Sequence, residues 1–348
     1  PCPILEIRLV QKKIWNIDSV ISISFTELNE GEEEVFGKAL EDFSTKMWRL
    51  PNPKKNYVFD LAILTNPEEQ LPPSNEEALK NFERVFANKG IYTERIGKKD
   101  LARINEFDGL FIRETTSIKN HTYTFSHRAQ QEGLVVIDDP ESILKCTNKI
   151  FMFNLMERNG IPQLPSSFVS DSKAGTLEMI ESEFSFPVVL KIPDGSFSLG
   201  VKKAKDREEL KSYLDEFLKK TSLVLIQKYL PTEFDWRIGV LNGEAIYACR
   251  YYMSKGHWQI YNHQKSGDEV AGDSDTLPVS EAPKNVVDTA VKISKLVGNG
   301  LYGVDIKEID GVPMVVEVND NPSIDEGVED LVLKDRLYEM IADAFLKH

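Results

Sequence analysis

The sequence predicts a parallel α/β layer followed by a pair of α+β lobes, and three observations carry that prediction. Between Tyr57 and Ile137 the apolar runs YVFDLAIL, IYTERI, GLFIRE and LVVI alternate with helical stretches near Asn75–Lys89 and Tyr123–Glu132. That alternation is the order of a parallel sheet. From Trp236 the runs instead follow one another across short turns, Trp236–Leu241, Asn242-Gly243, then Ala245–Tyr252, as antiparallel strands do. Last comes Leu301–Pro322, LYGVDIKEIDGVPMVVEVNDNP, two β-rich runs around a polar Asp310-Gly311 turn.

Residues 1–54 read as a leading segment, with β-rich runs at Ile4–Val10 and Ser19–Phe25 and a charged helix around Glu32–Lys46. Leu50-Pro51-Asn52-Pro53-Lys54-Lys55 reads as a linker, because two prolines and a basic pair break any periodic pattern. The α/β layer then occupies 55–145. A first lobe spans 146–229. It holds a helix at Lys149–Arg158 stopped by Asn159-Gly160 and Pro162, strands at Pro187–Ile192, Gly200–Ala204 and Leu223–Gln227, and a helix at Asp206–Lys220. The second lobe, 230–348, adds a strand at His257–Tyr261, a helix at Ala282–Val297, the hairpin, and a closing helix at Asp330–Lys347.

The chain has 348 residues, too many for one ordinary core, and its 41% hydrophobic and 28% charged content is that of a globular protein. No apolar run approaches the roughly 20 residues that cross a bilayer, and no signal-peptide pattern opens the sequence. Because the first residue is Pro1 rather than Met, the numbering is read as starting inside a longer chain or after processing. The three cysteines, Cys2, Cys146 and Cys249, are scattered without metal-ligand spacing, so the expected compartment is a reducing cytoplasm. A net charge of −14 argues against a nucleic-acid-binding surface. A homo-oligomer is left open.

The chemistry concentrates in the hairpin. Side chains two apart on a strand share a face, so Glu317 and Asn319 point the same way, and Asp305 on the partner strand reaches that face. Two carboxylates and an amide oxygen are hard ligands of the kind Mg²⁺ takes when it also bridges phosphates. Glu317 lies among Val315, Val316 and Val318, and a carboxylate in so apolar a strand needs a partner. Upstream, Lys191 ends the apolar strand PVVLKI and is followed by Pro193-Asp194-Gly195-Ser196-Phe197-Ser198-Leu199-Gly200. Such a loop can aim N–H groups and the hydroxyls of Ser196 and Ser198 at phosphate oxygens. Lys149, in a first helical turn, is electrostatically out of place unless an anion lies near. LVLIQKYLP, Leu223–Pro231, is a strand exit whose backbone could read an adenine edge.

In their order, Lys149, Lys191, the loop GSFSLGV, the exit IQKYLP, EFDWRIGVLNGE, Arg250, VDIKE and EVNDNP resemble ATP-grasp enzymes, most of all the RimK-type glutamate ligases. The resemblance covers about residues 57–348. It implies a pre-ATP-grasp α/β domain followed by an ATP-grasp fold of two α+β lobes. It also implies ATP with two Mg²⁺ ions (or Mn²⁺), phosphate contacts from Lys149, Lys191 and the loop between Gly195 and Gly200, and an adenine site at Gln227, Lys228, Tyr229 and Leu230. Asp235 is implied near the ribose, Asp305, Glu317 and Asn319 as metal ligands, and Arg250 at an acylphosphate. Three departures stand out: Lys228 where the family hinge is usually acidic, Phe197 and Leu199 in the loop, and Asp320-Asn321-Pro322 after the metal ligands.

The resulting expectation is an ATP-dependent ligase that joins a carboxylate to an amine of a metabolite or peptide through an acylphosphate, releasing ADP and phosphate. The planar forks of Arg237 and Arg250, on consecutive strands, suit phosphate and carboxylate oxygens. Arg113 is a candidate carboxylate grip from the first domain, and Asn262, beside His263, a candidate substrate contact. A phosphotransferase on the same scaffold and a non-catalytic ATP-binding regulatory module are the alternatives.

Overall fold

The computed structural model describes residues 4–11, 15–45, 57–194, 200–254, 258–259 and 272–347. It forms two units, 1–56 and 57–348. In the first, β1 (Ile4–Gln11) pairs antiparallel with β2 (Trp15–Ile23), and α1 follows at Glu30–Thr45. The expected linker at 50–55 lies outside the described residues.

The second unit opens with the parallel sheet. Strands β3 (Phe59–Leu64), β4 (Ile91–Ile96), β5 (Gly109–Ile112) and β6 (Val135–Ile137) lie in the order β4-β3-β5-β6. The helices between them are α2 (Glu76–Asn88) and α3 (His121–Gln131). Helix α2 begins where the Asn75 side chain accepts from Ala78 N, and it buries Ala78, Leu79, Phe82, Val85 and Phe86, one apolar stripe at helical spacing.

An unexpected helix, α4 (Pro140–Thr147), follows. The Asp138-Asp139-Pro140 run that reads as a boundary is its start: Asp139 accepts from Glu141 N and Ser142 N, and Pro140 takes the first helical position, where no N–H is needed. Helix α5 (Lys149–Arg158) leads into β7 (Ser166–Val169), α6 (Ala174–Glu183), β8 (Val188–Lys191), β9 (Val201–Ala204), α7 (Arg207–Phe217) and β10 (Val224–Lys228). Of these, β7 and α6 are also additions to the sequence reading. The four strands make an antiparallel sheet in the order β7-β10-β8-β9.

The last sheet has five antiparallel strands, β13-β12-β11-β14-β15: β11 (Phe234–Leu241), β12 (Glu244–Tyr252), β13 (Ser274–Leu277), β14 (Leu301–Ile309) and β15 (Val312–Asn319). Both expected turns hold consecutive residues at positive φ, Asn242 and Gly243 at 51° and 75°, Asp310 and Gly311 at 52° and 77°. That is the backbone a two-residue hairpin requires, and Asn, Asp and Gly tolerate it best. Helix α8 (Lys284–Val297) covers one face, packing Val286, Ala290 and Ile293 on Ile238, Val240, Val304 and Ile306. Of the strand expected at 257–261, only Trp258 and Gln259 are described, and they lie in a bend.

The closing helix, α9 (Asp335–Leu346), starts five residues later than expected, after turns at 330–334. It packs against the first sheet: Tyr338 meets Phe82 edge-on at 4.7 Å between ring centres, and Phe345 meets Phe111 at 5.7 Å. The same apolar cluster takes in Tyr247, Cys249 and Tyr251 of β12, so the first sheet, α9 and the five-stranded sheet share one core.

Candidate functional site

Alternation along β11, β14 and β15 divides the five-stranded sheet into two chemically different faces. Trp236, Ile238, Val304, Ile306 and Val318 go to the α8 side. The opposite face carries Asp235 and Arg237 on β11, Asp305 and Lys307 on β14, and Glu317 and Asn319 on β15. Register sets their spacing: Arg237 lies opposite Asp305, Asp305 opposite Glu317, and Asn319 opposite Gly303. A register shift between Asp305 and Ile306 accommodates one extra residue on β15, Val316. Gly303 has no side chain there, and Pro322 fills the place, its Cβ only 2.7 Å from where a Gly303 Cβ would stand.

Three ion pairs organise this face. Arg237 holds Asp305 with both arms, Nε to Oδ1 at 2.7 Å and a terminal nitrogen to Oδ2 at 2.8 Å. Lys149 Nζ, arriving from the start of α5, is 2.8 Å from Glu317 Oε1. Lys307 Nζ donates to Asp235 Oδ1 and to Thr232 Oγ1, each at 2.6 Å, while Thr232 donates to Asp235 at 2.7 Å. Asn319 Nδ2 completes the row at 3.2 Å from Asp305 Oδ2. Lysine 149 is fixed from two directions. Asn148 caps α5 by accepting from Ile150 N and Phe151 N, and Lys149 N donates to Pro193 O at 3.2 Å.

Protonation follows from these contacts. Burial alone would raise the Glu317 carboxyl, but the Lys149 and Lys191 ammonium groups outweigh it and hold the group below its usual range. Asp305 goes the other way: burial raises it further than Arg237 lowers it, with Glu317 and Asp235 adding repulsion. Lys191, at the end of β8, is pushed down to about 8 by burial, partly offset by Glu317 and reinforced by Lys149 and Lys307.

Against this face lies a cleft of about 360 Å³, within the range that holds small ligands. Its lining includes Lys149, Lys191, Gln227, Lys228, Tyr229, Leu230, Asp235, Arg237, Asp305, Glu317 and Asn319. Lysine 228 gives its backbone N–H to Pro165 O at 2.9 Å, and Gln227 Nε2 donates to Ser166 Oγ at 3.1 Å, which fixes the exit of β10. Gly200 sits at φ +74° with its carbonyl accepting from Ile192 N, closing the base of the loop between β8 and β9. Gly195, Ser196, Ser198 and Asn262 lie outside the described residues.

Two expectations are corrected. Arg250 stands opposite Trp236, on the α8 side of the sheet, where it pairs with both oxygens of Asp275 and covers the Phe234 ring at 5.4 Å. The one-residue alternation of a strand therefore turns it away from the face that carries Asp305 and Glu317. Arg113 is 1% exposed and donates to Ser74 Oγ, Asn321 Oδ1, Pro73 O and Pro322 O. It clasps the chain leaving the hairpin to the first domain and presents no free fork to a substrate.

The sequence reading passed over Lys307, although it lies two residues beyond Asp305 on one strand and so had to share its face. It also passed over Thr115–Lys119, which lines the opposite wall just beyond the carboxyl end of β5. Ligand crevices of open parallel sheets form at such strand ends.

The metal expectation fits this chain on one observation: two carboxylates and an amide share one face at register-fixed neighbouring positions, with Glu317 held ionised. Lys149, Lys191, Arg237 and Lys307 flank them in a cleft between the two antiparallel sheets, the arrangement expected of an ATP-grasp site. Residues 146–341 match the RimK-like ATP-grasp domain model. The chain belongs to that family and is, with it, an ATP-dependent carboxylate–amine ligase. It is 27% identical over 66% of its length, and 75% of the relative's, to a probable alpha-L-glutamate ligase of Shewanella denitrificans. It is 25% identical to the ribosomal protein bS6–L-glutamate ligase of Shigella flexneri, over 65% and 73% of the two chains. A D-alanine–D-alanine ligase of Bacillus anthracis complexed with ATP shares the fold, at a TM-score of 0.62 and 16% identity over 83% of this chain and 97% of that one. Among the described residues no helix is long and apolar enough to cross a membrane.

Proposed function

We propose that this ligase couples an amino acid to the carboxylate of a peptide, protein or metabolite through an acylphosphate. Its ATP would lie in the 360 Å³ cleft, with adenine at Gln227–Leu230 and the phosphates between Lys149, Lys191 and the β14–β15 hairpin. The observation that carries this reading is the alternation of Lys149–Glu317, Arg237–Asp305 and Lys307–Asp235 along one face. Glutamate is the first amine to test, because the relatives' names specify it.

The substrate carboxylate oxygen forms a bond to the γ-phosphorus as the bond from that phosphorus to the β-phosphate oxygen breaks, and ADP leaves. The amine nitrogen then bonds to the carbonyl carbon, the carbon–oxygen bond to phosphate breaks, and the amine proton is lost to solvent. Positioning and charge neutralisation dominate the first step. Lys149 would supply one cation, Lys191 a second when protonated, and Arg237 a third were Asp305 engaged by metal. Asp305, Glu317 and Asn319 would hold two Mg²⁺ ions, whose chemistry is to neutralise the charge developing on the phosphates. The wall at Thr115–Lys119 faces the outer cleft, where the acceptor carboxylate and the amine would enter.

The test is oxygen transfer. An acid labelled with ¹⁸O in its carboxylate must pass label to inorganic phosphate if an acylphosphate forms. Unlabelled phosphate, or AMP with pyrophosphate, overturns the reading. A phosphorylated product with no amide would favour a phosphotransferase.

A further inference from the structure

Arg237 rests on more than Asp305. Its guanidinium carbon lies 4.9 Å from the centre of the Tyr251 ring, the diagonal neighbour on β12. The Tyr251 hydroxyl donates to Glu329 Oε1. Glu329 Oε2 in turn accepts from Asp325 N at 2.7 Å, and Glu329 is only 1% exposed. Burying a carboxylate costs free energy that hydrogen bonds must offset, and here the Tyr251 hydroxyl and the Asp325 amide supply them.

We propose that Tyr251 and Glu329 are positioning residues: they hold the Arg237 guanidinium at the angle that lets it grip Asp305 now and phosphate oxygens when nucleotide is bound. The inference rests on the nucleotide site described above. Arginine has several rotatable bonds, and a ring beneath its plane removes much of that freedom before any ligand arrives. Glu329 supplies direction, because an ionised carboxylate fixes the phenol by a charge-assisted hydrogen bond.

The ionisation of Glu329 makes the device pH-dependent. Burial, with repulsion from Asp325, raises its carboxyl to about 7, while Tyr251, the Asp325 amide and Arg237 oppose the rise. Tyr247, Cys249 and Arg113 also feel its charge. Above that pH Glu329 is ionised and holds Tyr251 firmly, and below it the carboxyl is neutral and the hold slackens.

The experiment measures binding of the β,γ-imido analogue of ATP with Mg²⁺ by calorimetry in Tyr251→Phe, Arg237→Gln and the double variant, with thermal unfolding alongside. Tyr251→Phe keeps the ring and loses the link to Glu329, and affinity should fall about ten-fold, the scale of one hydrogen bond. In the Arg237→Gln background the same change should add no more than about two-fold. Wild-type affinity in Tyr251→Phe, or losses that multiply in the double variant, overturns the proposal. Glu329→Gln gives a second arm. Relative to Glu329→Gln, wild-type affinity should weaken between pH 8 and 6, since the protonation of Lys191 and of the nucleotide is common to both proteins. A step of the same size in both proteins overturns the role of Glu329. No amide is formed in these measurements, so a protein that binds nucleotide in this way yet makes no ADP would refute the proposed reaction and leave this device standing.

Discussion

Asp305 and Glu317 face each other across the β14–β15 hairpin, yet each is tied to a different cation, Arg237 for the first and Lys149 for the second. Two carboxylates so placed would repel; the crossed pairing lets both sit on a partly buried face. Those cations come from different parts of the chain, β11 and α5, so the hairpin joins the two lobes chemically as well as along the backbone. In the proposed reading, metal at Asp305 and Glu317 would compete with Arg237 and Lys149 for those carboxylates and leave both cations available to phosphate.

Glu317→Gln removes one charge at nearly constant volume, and its amide oxygen can still accept from Lys149. We expect ADP formation at saturating Mg²⁺ to fall by about 100-fold or more, with the unfolding midpoint within about 4 °C of wild type. Turnover close to wild type would remove Glu317 from the metal site.

Lys307→Met leaves Asp235 buried beside Thr232 without its cation. Breaking a buried pair from one side should cost about 3–5 kcal/mol, read by denaturant unfolding. Adding Asp235→Asn should recover most of that loss, because no unpaired charge then remains. If Lys307→Met is neutral, the pair is not structural.

Lys191, pushed down to about 8, is roughly half protonated at pH 8. Phosphate beside it favours the ammonium form, so nucleotide binding at that pH should take up about half a proton. The uptake should vanish near pH 6, where Lys191 is already charged. Calorimetry in buffers of different ionisation heat measures this, and Lys191→Met should abolish it.

The two relocated arginines make opposite predictions. Arg250→Ala, on the far face and in a partly exposed pair, should change turnover by less than about three-fold and stability by about 1 kcal/mol or less. Arg113→Ala should cost about 3–5 kcal/mol of stability, because it strands Ser74, Asn321 and two carbonyls. A turnover collapse in a fully stable Arg250→Ala protein would return that residue to the site.

Much of this was legible where periodicity and chemistry coincide. The hairpin could be read because Asp305, Glu317 and Asn319 interrupt an apolar strand, and two-residue alternation then dictates a shared face. Alternation decides the face only once the register between strands is known. Arg237 and Arg250 are both strand arginines, and their opposite fates follow from Arg250 pairing with Trp236, which no local pattern states. The start of α4 was hidden because Asp-Asp-Pro serves equally as a turn and as a capped helix N-terminus. Arg113 ends an apolar strand, and whether such a residue reaches solvent or a buried cluster of carbonyls depends on chain 200 residues away.

Helix α9 has a consequence for how this protein is made. Its aromatic face completes the packing over α2 and β5, elements formed from residues 59–112. As the chain leaves the ribosome, that first sheet has emerged long before its covering helix exists. The apolar surface of Phe82, Phe86 and Phe111 must wait for more than 200 residues of synthesis, a delay of roughly 10–40 s at about 5–20 residues per second. Until then that surface lacks its cover, and its final closure comes only after the two lobes between have been made.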